Sequence, residues 1–430
     1  MRFKKLQTQG VIKMIISRRS LLLSGVAAIA VSTGSIGAIA AEEISALFMS
    51  QAAYSEADVR AMTSAFEKAN PGVTVKLEFV AYEALYDKIV ASKAAGGSGY
   101  DVVLYDVIWP ANFAENGVLV DVTDRLTSVD KTQVFDGAWA TVSYKDKYYG
   151  MPWILDTKYL FYNTEILQKA GIAAPPKTWA ELAAQAKIIK DKKLVEFPIV
   201  WSWSQAEAVV CDYTTIAAAN GGTFFKDGKP AFDQGGSLDA VKYMVDTLKS
   251  GLSNPNSKEY AEEDVRKVFS AGNAAFALNW TYMYGMTQKP EESKVVGKVG
   301  IVPAPGVDGK SVASAVNGSM GLGITAGSTK QDSAWKFISF MASQPVQNQY
   351  AQLSLPIWKS SYADAAVTKG QEAVVAAANT SIGLMTNRPQ FASYPELSTL
   401  LQTAIQKALT DKATPEAALA EATAAAARIR

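Results

Sequence analysis

Strand and helix signals alternate along the first 75 or so residues after position 42, each step the length of one βα unit. That alternation bounds the architecture more tightly than any other feature of the chain. Residues 44–49 form a short apolar strand segment. Residues 55–70 place Val59, Met62 and Phe66 at helical spacing and stop at Asn70-Pro71-Gly72. Residues 73–80 alternate as a strand, 82–95 return to helix, 101–105 read as a buried strand, and 113–117 as a short helix ending at glycine. Repeated units of this kind predict α/β architecture, with a parallel sheet carrying helices on its faces. A chain of 430 residues also exceeds what one hydrophobic core supports, so two lobes are expected.

Helix signals dominate the middle of the chain. Thr178-Trp179-Ala180-Glu181 predicts a capping box, with Thr178 as N-cap and Glu181 at the third helical position, after an entry set by Pro175-Pro176. Residues 238–248 repeat the helical pattern and Gly251 closes it. Residues 299–302 read as a strand broken by Pro303 and Pro305, 320–324 as another short strand, 335–341 as a buried helix and 415–426 as an alanine-rich helix. There is no internal repeat and no low-complexity block.

The beginning of the chain speaks to its destination. Ser17-Arg18-Arg19-Ser20-Leu21-Leu22-Leu23 places paired arginines before a mild apolar run that ends in Ala38-Ile39-Ala40. Basic, apolar and small-residue regions in that order predict a cleaved export signal of the twin-arginine type over residues 1–40, with Ala41 as the mature start. The apolar run is too short to span a bilayer, and no later segment is long enough. Residues 1–40 carry six basic side chains and no acidic one, so their removal takes a net charge of +1 to −5. A mildly acidic chain has no electrostatic reason to seek nucleic acid or anionic lipid.

Cys211 is the only cysteine, which excludes an intramolecular disulfide, and it lies far from the signal junction where a lipoprotein would need one. A protein without that tether is expected to be free in the periplasm of a Gram-negative cell. In the stretch Val209-Val210-Cys211 the thiol reads as an inert core residue. The chain has no histidine, which removes Ser–His and Cys–His nucleophiles and histidine metal sites. Neither a phosphate-binding loop nor a dinucleotide glycine fingerprint is present, and Gly96-Gly97-Ser98-Gly99 reads as a turn. A pair of carboxylates could still cleave glycosidic bonds, but nothing in the sequence marks two of them as such a pair, so no catalytic residue is singled out and no metal site or cofactor is expected.

The order of segments resembles the family 1 extracellular solute-binding proteins of ATP-driven (ABC) importers, the maltose-binding-protein-like group. The resemblance is carried by Phe66-Glu67-Lys68-Ala69-Asn70-Pro71-Gly72-Val73, then Asp101-Val102-Val103 with Asp106, Trp109, Phe113-Ala114 and Gly117-Val118-Leu119. Tyr149-Gly150-Met151-Pro152-Trp153, Phe161-Tyr162-Asn163 and Gly171-Ile172 through Pro175-Pro176-Lys177-Thr178-Trp179 follow. Gly272-Asn273-Ala274-Ala275-Phe276, Gly321-Leu322-Gly323-Ile324 and Ala334-Trp335-Lys336-Phe337-Ile338 complete the set. Each segment alone is weak; their joint order across the chain is specific.

The resemblance implies a two-lobe α/β periplasmic-binding-protein fold of type II, with the ligand cleft between lobes joined by a hinge. It places residues 42–151 plus 300–355 in the first lobe and 156–298 plus 361–430 in the second. Crossings are expected near 153–157, 299–303 and 356–360. It further implies a monomeric receptor that closes around a small-molecule carbohydrate or polyol and delivers it to the membrane permease subunits of an ABC transporter.

A sugar presents apolar C–H faces and a ring of hydroxyls, so its site needs aromatic surfaces with carboxylates, amides and Arg. Nine Trp and 18 Tyr supply the first. The candidate ligand-binding residues are Asp106 and Trp109 at a strand end, Trp153 and Asp156 at the first crossing, and Trp280 and Tyr282 after another strand. Asn317 and Gly318 in a glycine turn, Trp358 beside the third crossing and Arg388 in a loop complete them. Plainer roles are open for several: Asp106 and Asp156 as caps or turns, Arg388 as an ion pair between lobes. Trp179 and Trp335 are expected to pack the core, and Trp201 and Trp203 fit either core or cleft. A non-sugar solute is the alternative, a polyamine, glycerol phosphate or iron complex. A polyamine would need several clustered carboxylates, and the sequence clusters none.

Overall fold

The computed structural model describes residues 42–50, 53–97 and 99–429; the expected export signal and its cleavage point lie outside the described residues. β1 (Glu42–Met49), α1 (Glu56–Ala69), β2 (Val73–Val80), α2 (Tyr82–Ala94), β3 (Val102–Asp106) and α3 (Pro110–Glu115) follow one another as the alternation predicts. α1 starts at a reciprocal box: the Asp58 N–H donates to Ser55 Oγ and the Ser55 N–H to the Asp58 carboxylate, both at 3.1 Å. Its buried stripe is the predicted one, Val59, Met62 and Phe66. β1 pairs parallel with β2 from Glu42↔Val73 to Met49↔Val80, and parallel with β3 on its other side.

Farther along lie β4 (Met151–Ile154), β5 (Lys158–Asn163), α4 (Trp179–Asp191), β6 (Ile199–Val200), α5 (Glu207–Ala219), α6 (Gly235–Lys249), α7 (Glu262–Ser270) and β7 (Phe276–Trp280). After them come β8 (Val299–Val307), β9 (Ser311–Val316), β10 (Met320–Ile324), α8 (Gln331–Met341), β11 (Met385–Thr386), α9 (Tyr394–Leu409) and α10 (Pro415–Ala426). Two large sheets result, in the orders β2-β1-β3-β10-β4 and β11-β9-β8-β5-β7-β6. Phe66 of α1 meets Phe337 of α8 with ring centroids 5.2 Å apart, so the two helices cover one face of the first sheet together. No described helix is long and apolar enough to cross a membrane.

Several local expectations need correction. In the first sheet only β2, β1 and β3 are parallel, and β10 runs antiparallel to both β3 and β4; in the second sheet the three central pairs are antiparallel and only the outer pairs β11–β9 and β7–β6 are parallel. Pro303 and Pro305 do not break β8. Its residues 299–303 pair with β5 and 304–307 with β9, so the strand changes neighbour where its N–H groups are missing. That pairing also puts 299–316 in the second sheet rather than in the first lobe expected for 300–355, and moves the crossing from 299–303 to 317–319. At α4 the Glu181 N–H donates to Thr178 Oγ1 at 3.1 Å, but the Glu181 carboxylate takes the Lys177 N–H instead of that of Thr178.

The chain passes between the sheets at 155–157, from β4 to β5, and at 317–319, from β9 to β10. The two passages are bonded side by side. The Gly318 N–H donates to the Asp156 carbonyl at 3.0 Å, and the Asp156 N–H to Ser319 Oγ at 3.3 Å. Buried Gln347 ties the strand that leads into the first passage to the segment at 357, its amide donating to the Trp153 carbonyl at 2.8 Å and accepting from the Ile357 N–H at 3.0 Å.

Candidate functional site

A cavity with about 660 Å³ of empty space, open to solvent, lies where the passages meet the ends of both sheets. The first sheet's side contributes Met49, Tyr82, Glu83, Asp106, Ile154 and Met320, the passages Asp156 and Gly318, and the second side Glu207, Cys211, Glu262 and Trp280. This follows from topology: β1, β2 and β3 are parallel, so the residues just past their carboxyl ends collect on one rim.

Asp106 ends β3 and accepts from the Tyr82 hydroxyl at 2.9 Å, the Ile108 N–H at 3.2 Å and Arg388 Nη2 at 3.1 Å. Arg388, 1 % exposed, also gives Nη1 to Glu207 Oε1 at 2.6 Å and Nη2 to the Asn317 carbonyl at 3.2 Å. Glu207 opens α5 and accepts further from the hydroxyls of Tyr394 and Ser398 on α9. One guanidinium therefore ties the first lobe to the second. Behind the opposite wall, fully buried Lys158 donates to Asp212 Oδ1 at 2.6 Å and Ser202 Oγ at 2.8 Å, with Glu262 Oε1 at 3.4 Å. Its ammonium lies 5.1 Å from the Trp280 ring centroid. Burial alone would lower the Lys158 pKa; Asp212 and Glu262 more than offset it and hold the group charged.

Trp280 lines the cavity at the end of β7, its Nε1–H donating to Glu262 Oε1 at 3.2 Å. A Cβ on Gly318 would stand 2.2 Å from the Trp280 ring, so only glycine permits this approach. Asp156 accepts from the Thr157 N–H at 2.8 Å and from the hydroxyl and N–H of Thr281, and among the described residues no cation pairs with it. Burial pushes its carboxyl up to about 7, against the pull of those hydrogen bonds. The folded chain thus keeps a proton that the unfolded chain releases near pH 4, and stability falls as pH rises from about 4 to about 7. Asp156→Asn, with no proton to lose, is expected to flatten that part of the profile. Urea midpoints of both proteins between pH 4 and 8 measure it, and parallel curves would refute the assignment.

Of the ten sequence candidates, Asp106, Asp156, Trp280 and Gly318 line the cavity. Arg388 acts from behind the wall, and Trp109 stacks at 5.7 Å on Tyr82, which is in the wall. The other four are corrections. Trp153 is core: its ring packs on Tyr54 at 4.7 Å and Phe48 at 5.3 Å, and its indole N–H donates to the Met341 carbonyl. Trp358 donates its N–H to the Ala342 carbonyl at 2.8 Å and does not line the cavity. Tyr282 is buried and does not line the cavity, because residues 282–287 coil into a helix that turns it away from the strand end. The Asn317 side chain is spent on the Gly137 carbonyl, Asn387 and the Ser319 N–H. Trp201 and Trp203 stack on each other at 4.9 Å in the core.

Sequence reasoning missed Tyr82, Glu83, Glu207 and Glu262. The strand-end argument that selects Asp106 applies equally to Tyr82 and Glu83, which follow β2. Glu207 and Glu262 read in the sequence as ordinary acidic helix starts. Cys211 lies in the wall rather than deep in a core, and burial raises its thiol pKa so that it stays protonated.

Comparison with known proteins agrees with this geometry. The family model for bacterial extracellular solute-binding proteins matches residues 50–348. A probable ABC transporter-binding protein of Deinococcus radiodurans is 30 % identical over 368 residues, 81 % of this chain and 84 % of that protein. Among solved structures, maltose-bound MalE3 of T. maritima superposes with a TM-score of 0.84 at 28 % identity, over 90 % of this chain and 99 % of that one. A Thermotoga lettingae ABC transporter solute-binding protein bound with α-D-tagatose gives 0.82 at 26 %, over 90 % and 100 %. This architecture, two lobes meeting at paired crossings around a cavity, and the match over most of its length place the chain in the bacterial extracellular solute-binding protein family.

Proposed function

We propose that this protein is the exported receptor of an ABC importer for a carbohydrate, a mono- or oligosaccharide or a polyol. The observation that carries the reading is the cavity between the lobes, where Trp280 offers an aromatic surface beside Asp156 and Glu262. Hydroxyls donating to the carboxylates and C–H faces against the indole and the two methionines would satisfy such a wall. Maltose and α-D-tagatose in the two similar structures support the solute class. In this reading the protein works as a monomer in the periplasm of a Gram-negative cell, binds without turning its ligand over, and presents the closed form to the permease subunits.

A thermal-shift screen against sugars, polyols, sugar acids, polyamines and amino acids tests the proposal. A ligand at about a hundred times its dissociation constant adds about 2.7 kcal/mol to folding stability, which a melting curve resolves. Stabilisation by a sugar or polyol subset is the expected result. Trp280→Ala should then weaken that ligand about tenfold to a hundredfold by calorimetry. Stabilisation by polyamines or metal complexes alone would refute the carbohydrate reading.

A further inference from the structure

Three helices, α2, α5 and α7, begin at the cavity. Their N-caps are Ala81, Ala206 and Ala261, which have no side-chain oxygen to offer, whereas α1 and α4 start at Ser55 and Thr178. The N–H groups of Tyr82, Glu83, Glu207, Ala208 and Glu262 accordingly have no acceptor among the described residues. Each helix start thus sets a free donor beside a first-turn carboxylate, Glu83, Glu207 or Glu262. A hydroxyl both accepts and donates, so this wall suits a neutral solute.

Tyr82, Glu83, Ala206 and Glu207 also line a second groove, which adjoins the cavity. It has about 880 Å³ of empty space and lies between α2 and the starts of α5 and α9. Its first-lobe side is aromatic. Tyr82 and Tyr86, one turn apart on α2, pack on Trp109 with centroids at 5.7 Å and 5.4 Å. Their hydroxyls are committed to Asp106 at 2.9 Å and Asn112 Oδ1 at 3.0 Å, so the pair offers the groove ring surface. Trp109 lines the groove too and is only 5 % exposed, yet its indole N–H has no hydrogen-bond partner among the described residues. A donor so placed calls for an acceptor from a ligand. On the second-lobe side, Gln205 and Gln402 bring amides whose carbonyl oxygens accept nothing among the described residues.

Two adjoining compartments therefore each hold an aromatic surface with donors and acceptors around it, Trp280 in the cavity and Tyr86 with Trp109 in the groove. A monosaccharide or a linear polyol would use the first set and leave the second idle. Resting on the carbohydrate reading above, we infer that the solute is an oligosaccharide of two or more rings, one on Trp280 in the cavity and the next in the groove on Tyr86, accepting from the Trp109 indole N–H.

Calorimetry on the purified protein tests the inference with disaccharides set against their own rings: maltose, cellobiose and trehalose against glucose, melibiose and lactose against galactose and glucose, with maltotriose, sorbitol and ribitol added. At least one disaccharide is expected to bind tenfold or more tighter than either of its monosaccharides. Tyr86→Ala should weaken that disaccharide about tenfold and bring it down towards its monosaccharides. Gln402→Ala makes the same test without touching the aromatic packing, since it gives up only the hydrogen bond to Ser398 Oγ. It should shrink the preference severalfold with the melting temperature of the unliganded protein unchanged. A monosaccharide or polyol binding as tightly as every disaccharide would overturn the inference and leave the carbohydrate reading standing. A disaccharide preference that survives both variants would put the second ring outside the groove and overturn it as well. Silence from every sugar and polyol would overturn both readings.

Discussion

Lys158→Met is expected to cost about 3–5 kcal/mol of folding stability, because it removes one partner of a fully buried ion pair. Lys158 and Asp212 are both 0 % exposed and meet at 2.6 Å. Without the ammonium, Asp212 keeps Ser202 Oγ at 3.5 Å as its remaining side-chain contact. Burial already holds the Asp212 carboxyl up to about 6 with the ammonium beside it, and Glu262 adds repulsion. Loss of the cation raises it further, so the variant must hold a proton that the unfolded chain releases near pH 4. The deficit should therefore widen between pH 5 and pH 8. Adding Asp212→Asn removes the stranded charge and should recover most of the loss, since a neutral pair owes no charge desolvation. Urea denaturation of the three proteins at both pH values measures this. A single variant within about 1 kcal/mol of the parent, or a double variant no better than the single, would show that the pair is not what stabilises the second lobe.

That pair also marks where sequence reading stops. Strand and helix positions were legible where their evidence is local: β2 near the start and α10 near the end coincide with their predicted ranges, and Val59, Met62 and Phe66 show their buried face by spacing alone. The site is built from pairs distant in the chain. Lys158 meets Asp212 across 54 residues, Asp156 meets Thr281 across 125 and Arg388 meets Asp106 across 282, and no periodicity encodes such meetings. Carboxylates that the sequence scatters at 83, 106, 156, 207 and 262 become one wall only through topology. Aromatic residues misled for the opposite reason. Trp153 and Trp358 stand beside crossings, as ligand-stacking residues would, but both donate their N–H to the carbonyls that end α8 or follow it and so brace the hinge from behind. Position along the chain does not distinguish the two sides of a passage.

Arg388→Met is the change expected to reach furthest, because it strands two carboxylates belonging to different lobes. Asp106 would keep the Tyr82 hydroxyl and the Ile108 N–H, and Glu207 the hydroxyls of Tyr394 and Ser398, but neither would have a cation. The Asp106 and Glu207 side chains are 7 % and 11 % exposed, so the loss is expected to be about 3–5 kcal/mol. Around this residue the segment 387–392 reaches onto the first lobe: Gln390 donates to the Val107 and Ala140 carbonyls, and Asn112 to that of Ala392. Those neutral bonds remain in the variant, while mutual repulsion of the two carboxylates favours separation of the lobes. Unliganded Arg388→Met should accordingly show a larger radius of gyration by small-angle scattering than the parent, along with its lower urea midpoint. Arg388→Lys should recover only part of both, since an ammonium lacks the fork that serves Asp106, Glu207 and the Asn317 carbonyl at once. Combining Arg388→Met with Asp106→Asn and Glu207→Gln separates charge from packing. If the triple variant regains stability and closure, the guanidinium acts by neutralising carboxylates across the hinge; if it stays open and weak, the side chain acts as a packed strut and the electrostatic account is wrong.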